Sequence, residues 1–249
     1  MTDMSIEQTP LPKRFYKTAD VDYVDECWNI TLDGRTAKTP VGKRLSTIHE
    51  ALARAIADEW NAQGEHVNPS SMPLTQRLML VQDRGKQDRD KWADGMRNYL
   101  QTDLLCYRAG APEELVQRQT RVWDAYLAWA KDTLSIKLKT TTGVLAVDQP
   151  PEALQALNAQ IAEMDEEVLC CLAAATEITG SVVLALALGY RAADAEDIFE
   201  VSRLDEQYQA EKWGEDAEAV EREGALQAEF MAISRYLELI SGSDASPDN

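Results

Sequence analysis

The side chains of this chain that could do chemistry are few in kind and mostly carboxylic. Its 249 residues hold two histidines, four cysteines and 43 aspartates and glutamates. His49-Glu50 is not followed by the second histidine of a helical zinc site, and no Glu-x-x-His occurs, so zinc-peptidase and di-iron bundle ligand sets are missing. Val41-Gly42-Lys43-Arg44 lacks both the leading glycine and the closing hydroxyl of a phosphate-cradling loop. No dinucleotide fingerprint, nucleophile elbow or EF-hand loop is present. Cys27, Cys106, Cys170 and Cys171 form no CxxC pair. The adjacent Cys170 and Cys171 lie in an apolar run that suits core packing, and nothing argues for disulfides, so a reducing compartment fits. Paired carboxylates remain as an acid and a base. Glu177 is the best single candidate, because burial would raise its pKa. The competing reading has it bonded to a neighbouring helix or facing a wet groove.

Charge narrows the partners. The formal net charge is −18, a field that repels nucleic-acid phosphates and anionic lipid. The excess is uneven: residues 194–229 hold 3 basic and 13 acidic side chains, a net of −10, whereas residues 1–70 hold 8 and 11, a net of −3. Such a segment is either a solvated helix surface or a docking surface for a partner with basic groups. Trp213, beside Gly214 in this region, either caps the core or anchors an interface.

The elements that must position these groups change character along the chain. Arg14–Ala19 is a short strand candidate. Cys27–Leu32 sets Trp28, Ile30 and Leu32 against Asn29 and Thr31, the period of a half-buried strand. Asp33-Gly34 supplies a hairpin turn, and Arg35–Lys38 returns. Thr47 and Glu50 form a possible capping box for a helix carrying Leu52, Ile56 and Trp60, with Gly64 as its C-cap. After the linker Val67–Pro73 the pattern turns helical: Leu74–Gln82, Asp88–Leu100, a helix starting at Pro112, another at Pro150-Pro151, then Asp194–Lys212 and Glu215–Ile240. Leu104–Tyr107 and Lys137–Thr142 are candidates for short extended pieces. Val168–Gly189 is long enough to span a bilayer, but Glu177 at its middle costs roughly 2.5–3.5 kcal/mol on insertion. A central core helix or helix pair is therefore expected. The predicted class is α+β: a β-rich domain with one helix over 1–70, a helical domain over 71–240, and disorder at Met1–Pro10 and 241–249. The N-terminus has neither a secretory signal nor an organelle transit peptide.

Six segments then fall in a recognisable order. They are Leu32-Asp33-Gly34-Arg35 with Lys38-Thr39-Pro40; Glu59-Trp60 with Gln63; Met72-Pro73-Leu74-Thr75; Tyr99 with Thr102–Arg108; Gly180–Ala187; and Ser202–Gln209 with Lys212-Trp213-Gly214. Over roughly residues 14–238 the set resembles the assembly chaperones of the ATP synthase alpha subunit, the ATP-twelve family. The resemblance implies a protein that binds the free alpha subunit of the soluble catalytic sector. It would shield the surface that later meets beta, without catalysis, cofactor or metal. Members work in mitochondria and in alpha-proteobacteria, and the N-terminus, read as lacking a transit peptide, favours a bacterial cytoplasmic setting. A monomer when free is expected, and the charge and Glu177 argue against a nucleic-acid partner and stable membrane insertion. The family's important acidic position falls at Asp205, where many relatives carry Glu. Glu206, Tyr208, Gln209 and Trp213 complete the implied partner-binding set, with Gly34, Trp60 and Gly214 as structural positions. As i, i+3 and i, i+4 neighbours, Asp205, Tyr208 and Gln209 are expected on one helix face. Asp205 either touches the client or holds the helix in place. The expected surface is an apolar patch with an acidic rim, giving binding of moderate salt sensitivity.

Overall fold

The computed structural model describes residues 10–143 and 147–242. By compactness the chain divides into two units, Met1–Asp83 with Leu239–Asn249, and Arg84–Glu238. The class is α+β, with all four strands of the larger sheet before Glu50. The division falls inside a helix, whereas the domain boundary read from the linker is at 70/71. The expected tail begins as helix at Ser241, and residues 243–249 lie outside the described residues, as do Met1–Thr9.

In the first unit, β1 (Ala19–Val24) pairs antiparallel with β2 (Cys27–Leu32), from Ala19↔Leu32 to Val24↔Cys27. The opposite side of β2 pairs with β3 (Arg35–Thr36) and β4 (Ser46–Thr47). The strand expected at Arg14–Ala19 thus begins only at Ala19. The preceding residues are tied down by side chains: Arg14 donates to the carbonyls of Tyr16, Lys17, Asn61 and Gln63. β2 is buried more completely than its alternation predicts. Ile30 and Leu32 are buried, and so are Asn29 and Thr31, whose side chains donate to carbonyls of β1. Asp33 and Gly34 make the expected turn, with φ of +48° and +75°.

Helix α1 (Glu50–Asn61) buries Leu52, Ala53, Ile56, Ala57 and Trp60 against β1 and β2. Its N-cap is His49 rather than Thr47, whose hydroxyl instead accepts from the His49 N–H at 3.2 Å. Its C-cap is Ala62, two positions before the expected Gly64. The two helices read at Leu74–Gln82 and Asp88–Leu100 are one, α2 (Pro73–Gln101). Interior glycines cost a helix about 1 kcal/mol each, and the 29-residue hydrogen-bonded run carries them. The Arg84–Asp88 pair, 2.8 Å apart at i, i+4, spans the polar stretch between the apolar patterns.

The second unit is helical. Leu104–Cys106 is a 3-10 turn, and a two-stranded parallel ladder joins β5 (Tyr107–Arg108) to β6 (Thr141–Thr142). The helices are α3 (Glu113–Leu134), α4 (Pro151–Glu163), α5 (Glu166–Thr179), α6 (Val182–Gly189), α7 (Ala195–Ser202), α8 (Leu204–Trp213) and α9 (Ala217–Ser241). The apolar run is the expected helix pair, broken at Gly180 with φ +68°. Every residue of α6 from Val182 to Leu188 is buried, so this short helix is the centre on which α3, α5 and α7 pack. No described helix is long and apolar enough to cross a membrane.

Candidate functional site

Several motif carboxylates have backbone, not a ligand, as their partner. Asp33 accepts from the N–H groups of Lys17 (3.0 and 3.1 Å) and Thr18 (3.0 Å), which hold its carboxyl below the usual range. Glu59 accepts from the N–H groups of Leu74 and Thr75, each at 2.8 Å, and from the Thr75 hydroxyl at 2.7 Å. It therefore caps α2 from the side, although burial outweighs these donors and raises its pKa. Gln63 completes the corner, donating to Glu59 O and Ser71 Oγ and accepting from Asn68 N–H. Asp103 is fully buried. It accepts from Leu105 N–H (3.0 Å), the Ser181 hydroxyl (2.8 Å) and Val183 N–H (3.2 Å), so it ties the 3-10 turn to the start of α6. Burial pushes its pKa up to about 6 despite these donors. Five of the six ordered segments thus meet at these corners.

Glu177, the sequence candidate for a buried acid, is exposed on α5, so the apolar run around it does not enclose it. The helix turns that one position outward while Thr176 and Ile178 go in. None of the four cysteines is in a disulfide, and three are buried.

The acidic region is built differently. Helix α8 docks on α3 through a mixed network. The amide of Gln119, buried on α3, donates from Nε2 to Asp205 Oδ1 at 2.7 Å and accepts from Ala109 N–H at 2.8 Å. Tyr208 is also buried, with the Arg118 guanidinium 5.4 Å and the Lys212 ammonium 5.1 Å from its ring centre. Glu114 bridges Arg118 at 3.0 Å and Lys212 at 2.8 Å, and Glu211 accepts from Arg118 at 2.8 Å. The Lys212 and Arg118 cations keep Glu114 and Glu211 below the usual carboxylate range. Arg203, at the start of α8, donates to Ile178 O and Ser202 Oγ and lies 3.6 Å from Glu206.

The expected single face is therefore split. Asp205 and Tyr208 turn towards α3, Asp205 half-buried and Tyr208 buried, while Glu206 and Gln209 face solvent. Trp213 does not cap the core: it is 78% exposed, the most open large apolar side chain described. Gly214 follows at φ +90° and ψ 162°, a conformation open to glycine, and ends α8 so that α9 can start at Ala217. Trp213 and Val220, itself 49% exposed, line a cleft of about 680 Å³ with Gln209, Glu215, Asp216 and Glu223. No residue from Gln209 to Glu229 is buried. The helix expected over Glu215–Ile240 is α9, but Val220 does not stand out in the sequence as a surface residue, because its segment has no apolar period to draw attention. The α3 partners Glu114, Arg118 and Gln119 escape a sequence reading because their pairing is long-range.

Fold and site thus define a class: an α+β chain whose most acidic segment carries an open aromatic cleft and whose motif carboxylates are committed to backbone. The comparisons narrow it. The family model described as ATP12 chaperone protein matches residues 13–131. Atp12 from Paracoccus denitrificans is 36% identical in a solved structure, with a TM-score of 0.87, covering 92% of this chain and 98% of that one. The Atu1473 protein of Agrobacterium tumefaciens is 40% identical, with a TM-score of 0.89, covering 94% and 88%. The mitochondrial protein atp12 of Schizosaccharomyces pombe is 26% identical over 241 residues, 86% of this chain and 80% of that protein. The chain belongs to the ATP12 family of chaperones for ATP synthase assembly.

Proposed function

We propose that this chaperone binds the free alpha subunit of the ATP synthase catalytic sector and covers its apolar interface until beta takes its place. The observation that carries the reading is Trp213, open to solvent in a carboxylate-rimmed cleft at the end of a helix held firmly from behind. Exposed tryptophan is costly to leave in water and is enriched among residues that dominate binding energy. The rim carboxylates favour a client surface with basic groups and disfavour acidic ones. Trp213, Gln209 and Glu206 are the contact residues of this reading. Asp205 acts through Gln119 to position α8, and Tyr208 is the inner support. Gly34, Trp60 and Gly214 serve the scaffold. The protein works as a monomer, without catalysis, cofactor or metal, in the bacterial cytoplasm; the cysteines, mostly buried and in no disulfide, suit a reducing compartment.

The test is the aggregation of purified alpha subunit, followed by light scattering, with and without this protein. Suppression at stoichiometric amounts, lost in Trp213→Ala and reduced by moderate salt, is the expected result. Undiminished aggregation, or equal protection of unrelated aggregating proteins, would overturn the proposal. Asp205→Ala should weaken binding and loosen α8 together; unchanged binding and solubility would remove Asp205 from the site.

A further inference from the structure

A second cleft, in the first unit, has the opposite charge. Residues 14–18 form no strand, yet they are fixed: Arg14 bonds four carbonyl groups, and Asp33 accepts from the N–H groups of Lys17 and Thr18. The Tyr16 hydroxyl adds a 2.7 Å bond to Trp60 O. This bracing holds Phe15 out in water, 75% exposed. The Phe15 ring meets Tyr16 edge-on at 5.3 Å, and Tyr16 meets Trp60 edge-on at 5.5 Å, so a ladder of three rings runs from the core to the surface. These rings, with Leu32, Asp33, Arg35 and Lys38, line a cleft of about 590 Å³, whose two cations outweigh the one carboxylate. The buried Trp60 Nε1 has no acceptor among the described residues.

Arg35 and Lys38 are exposed, and neither pairs with a carboxylate among the described residues. Asp33, next to Arg35 in the chain, is occupied with backbone N–H groups. Two free cations beside an open aromatic ring stand out in a chain of net charge −18. The Leu-Asp-Gly-Arg motif with Lys38 thus does more than turn a hairpin: Asp33 sets the 15–18 segment, and Arg35 and Lys38 set the charge of the cleft.

We propose that this cleft docks an acidic peptide segment of a partner protein. A carboxylate pairs with Arg35 and Lys38, and the adjoining apolar side chain packs on Phe15 and Tyr16. Guanidinium offers a carboxylate a fork of donors, and the aromatic ladder supplies the area that charge alone lacks. A basic segment is rejected by the same two cations. The proposal stands apart from the alpha-subunit reading, because it concerns different residues in a different unit.

The test is fluorescence anisotropy with the full chain and a capped, fluorescein-labelled probe, Gly-Glu-Leu-Asp-Phe-Glu-Gly, beside a counterpart carrying Lys at each acidic position. The acidic probe should bind saturably. Arg35→Glu with Lys38→Glu should weaken it about tenfold or more, and Phe15→Ala should weaken it several-fold. Trp213→Ala should leave it unchanged. All these side chains are exposed, so matching circular dichroism and Tm values check that the variants fold. Absence of saturable binding, indifference to the charge reversal, or loss in Trp213→Ala would overturn the proposal. So would tighter binding in Glu7→Lys, which would make the chain's own first residues the occupant.

Discussion

Two sets of carboxylates in this chain have opposite surroundings. Asp33, Glu59 and Asp103 each meet backbone N–H groups at bends of the chain, and Asp103 is fully enclosed. The carboxylates between Gln209 and Glu229 sit where nothing is buried. Each member of the first set is held by fixed backbone donors, Asp33 at the surface and Asp103 out of water, so each specifies where two segments meet. The second set, with Glu211 paired to Arg118, faces solvent and gives the surface its sign. An acidic residue is therefore informative here by what donates to it, and composition does not distinguish the two cases.

The sharpest way to break this contrast is Asp103→Ala. It leaves the Ser181 hydroxyl and two backbone N–H groups without their acceptor, and the expected cost is about 3 kcal/mol at pH 5, read from urea unfolding. The same residue predicts a pH dependence of unusual sign. Its folded pKa of about 6 lies above the reference 3.8, so the folded state holds the proton more tightly. The stability it contributes is fully present below 3.8 and is lost as pH rises through about 6. The difference between wild type and Asp103→Asn should shrink across that window and stay level above it. A difference that grows with pH would show an ordinary stabilised carboxylate.

Trp213→Ala probes the other side of the contrast. About 2 kcal/mol of client affinity, near thirtyfold, should disappear with stability held within about 0.5 kcal/mol. A drop in Tm of several degrees would mean that Trp213 supports the fold. Glu59→Gln comes next, at about 1–1.5 kcal/mol of stability, because an amide offers one acceptor oxygen where three donors converge. The smallest effect belongs to Glu215→Gln with Asp216→Asn. Stability should be unchanged, and client association should slow about two- to threefold at low salt and converge with wild type at high salt, measured by stopped flow.

Much of the architecture was legible in the residues. The β2 strand, the Asp33-Gly34 turn, the apolar α5–α6 pair and the helix stop at Gly214 each follow from a local pattern. What escaped was long-range. Thr47 and Glu50 have the spacing of a capping box, but Thr47 belongs to β4, and the cap falls two residues later, at His49. Trp213 reads from the sequence as either a core cap or an interface anchor, and its 78% exposure removes the first. Asp205, Tyr208 and Gln209 are neighbours on a wheel, yet α3 takes two of them and leaves the third. Sequence spacing places side chains around a helix axis. The direction in which that axis meets its neighbour depends on Gln119, Arg118 and Glu114, which are far away in the chain.

The open half of α9 has a thermodynamic consequence. From Ala217 to Glu229 the helix has neither buried side chain nor apolar stripe, and it includes Gly224. Isolated helices of about 12–15 residues are marginal in water. This stretch is held by little beyond its own backbone hydrogen bonds, so its amides should exchange hydrogen faster than those around Phe230, Ile233 and Tyr236, which the core encloses, as hydrogen exchange would read. A client seated against Trp213 and Val220 would also be working against the melting of these turns. If the client docks there as proposed, part of the affinity would be set by how much helix it must order, and Gly224→Ala should tighten binding without touching the client.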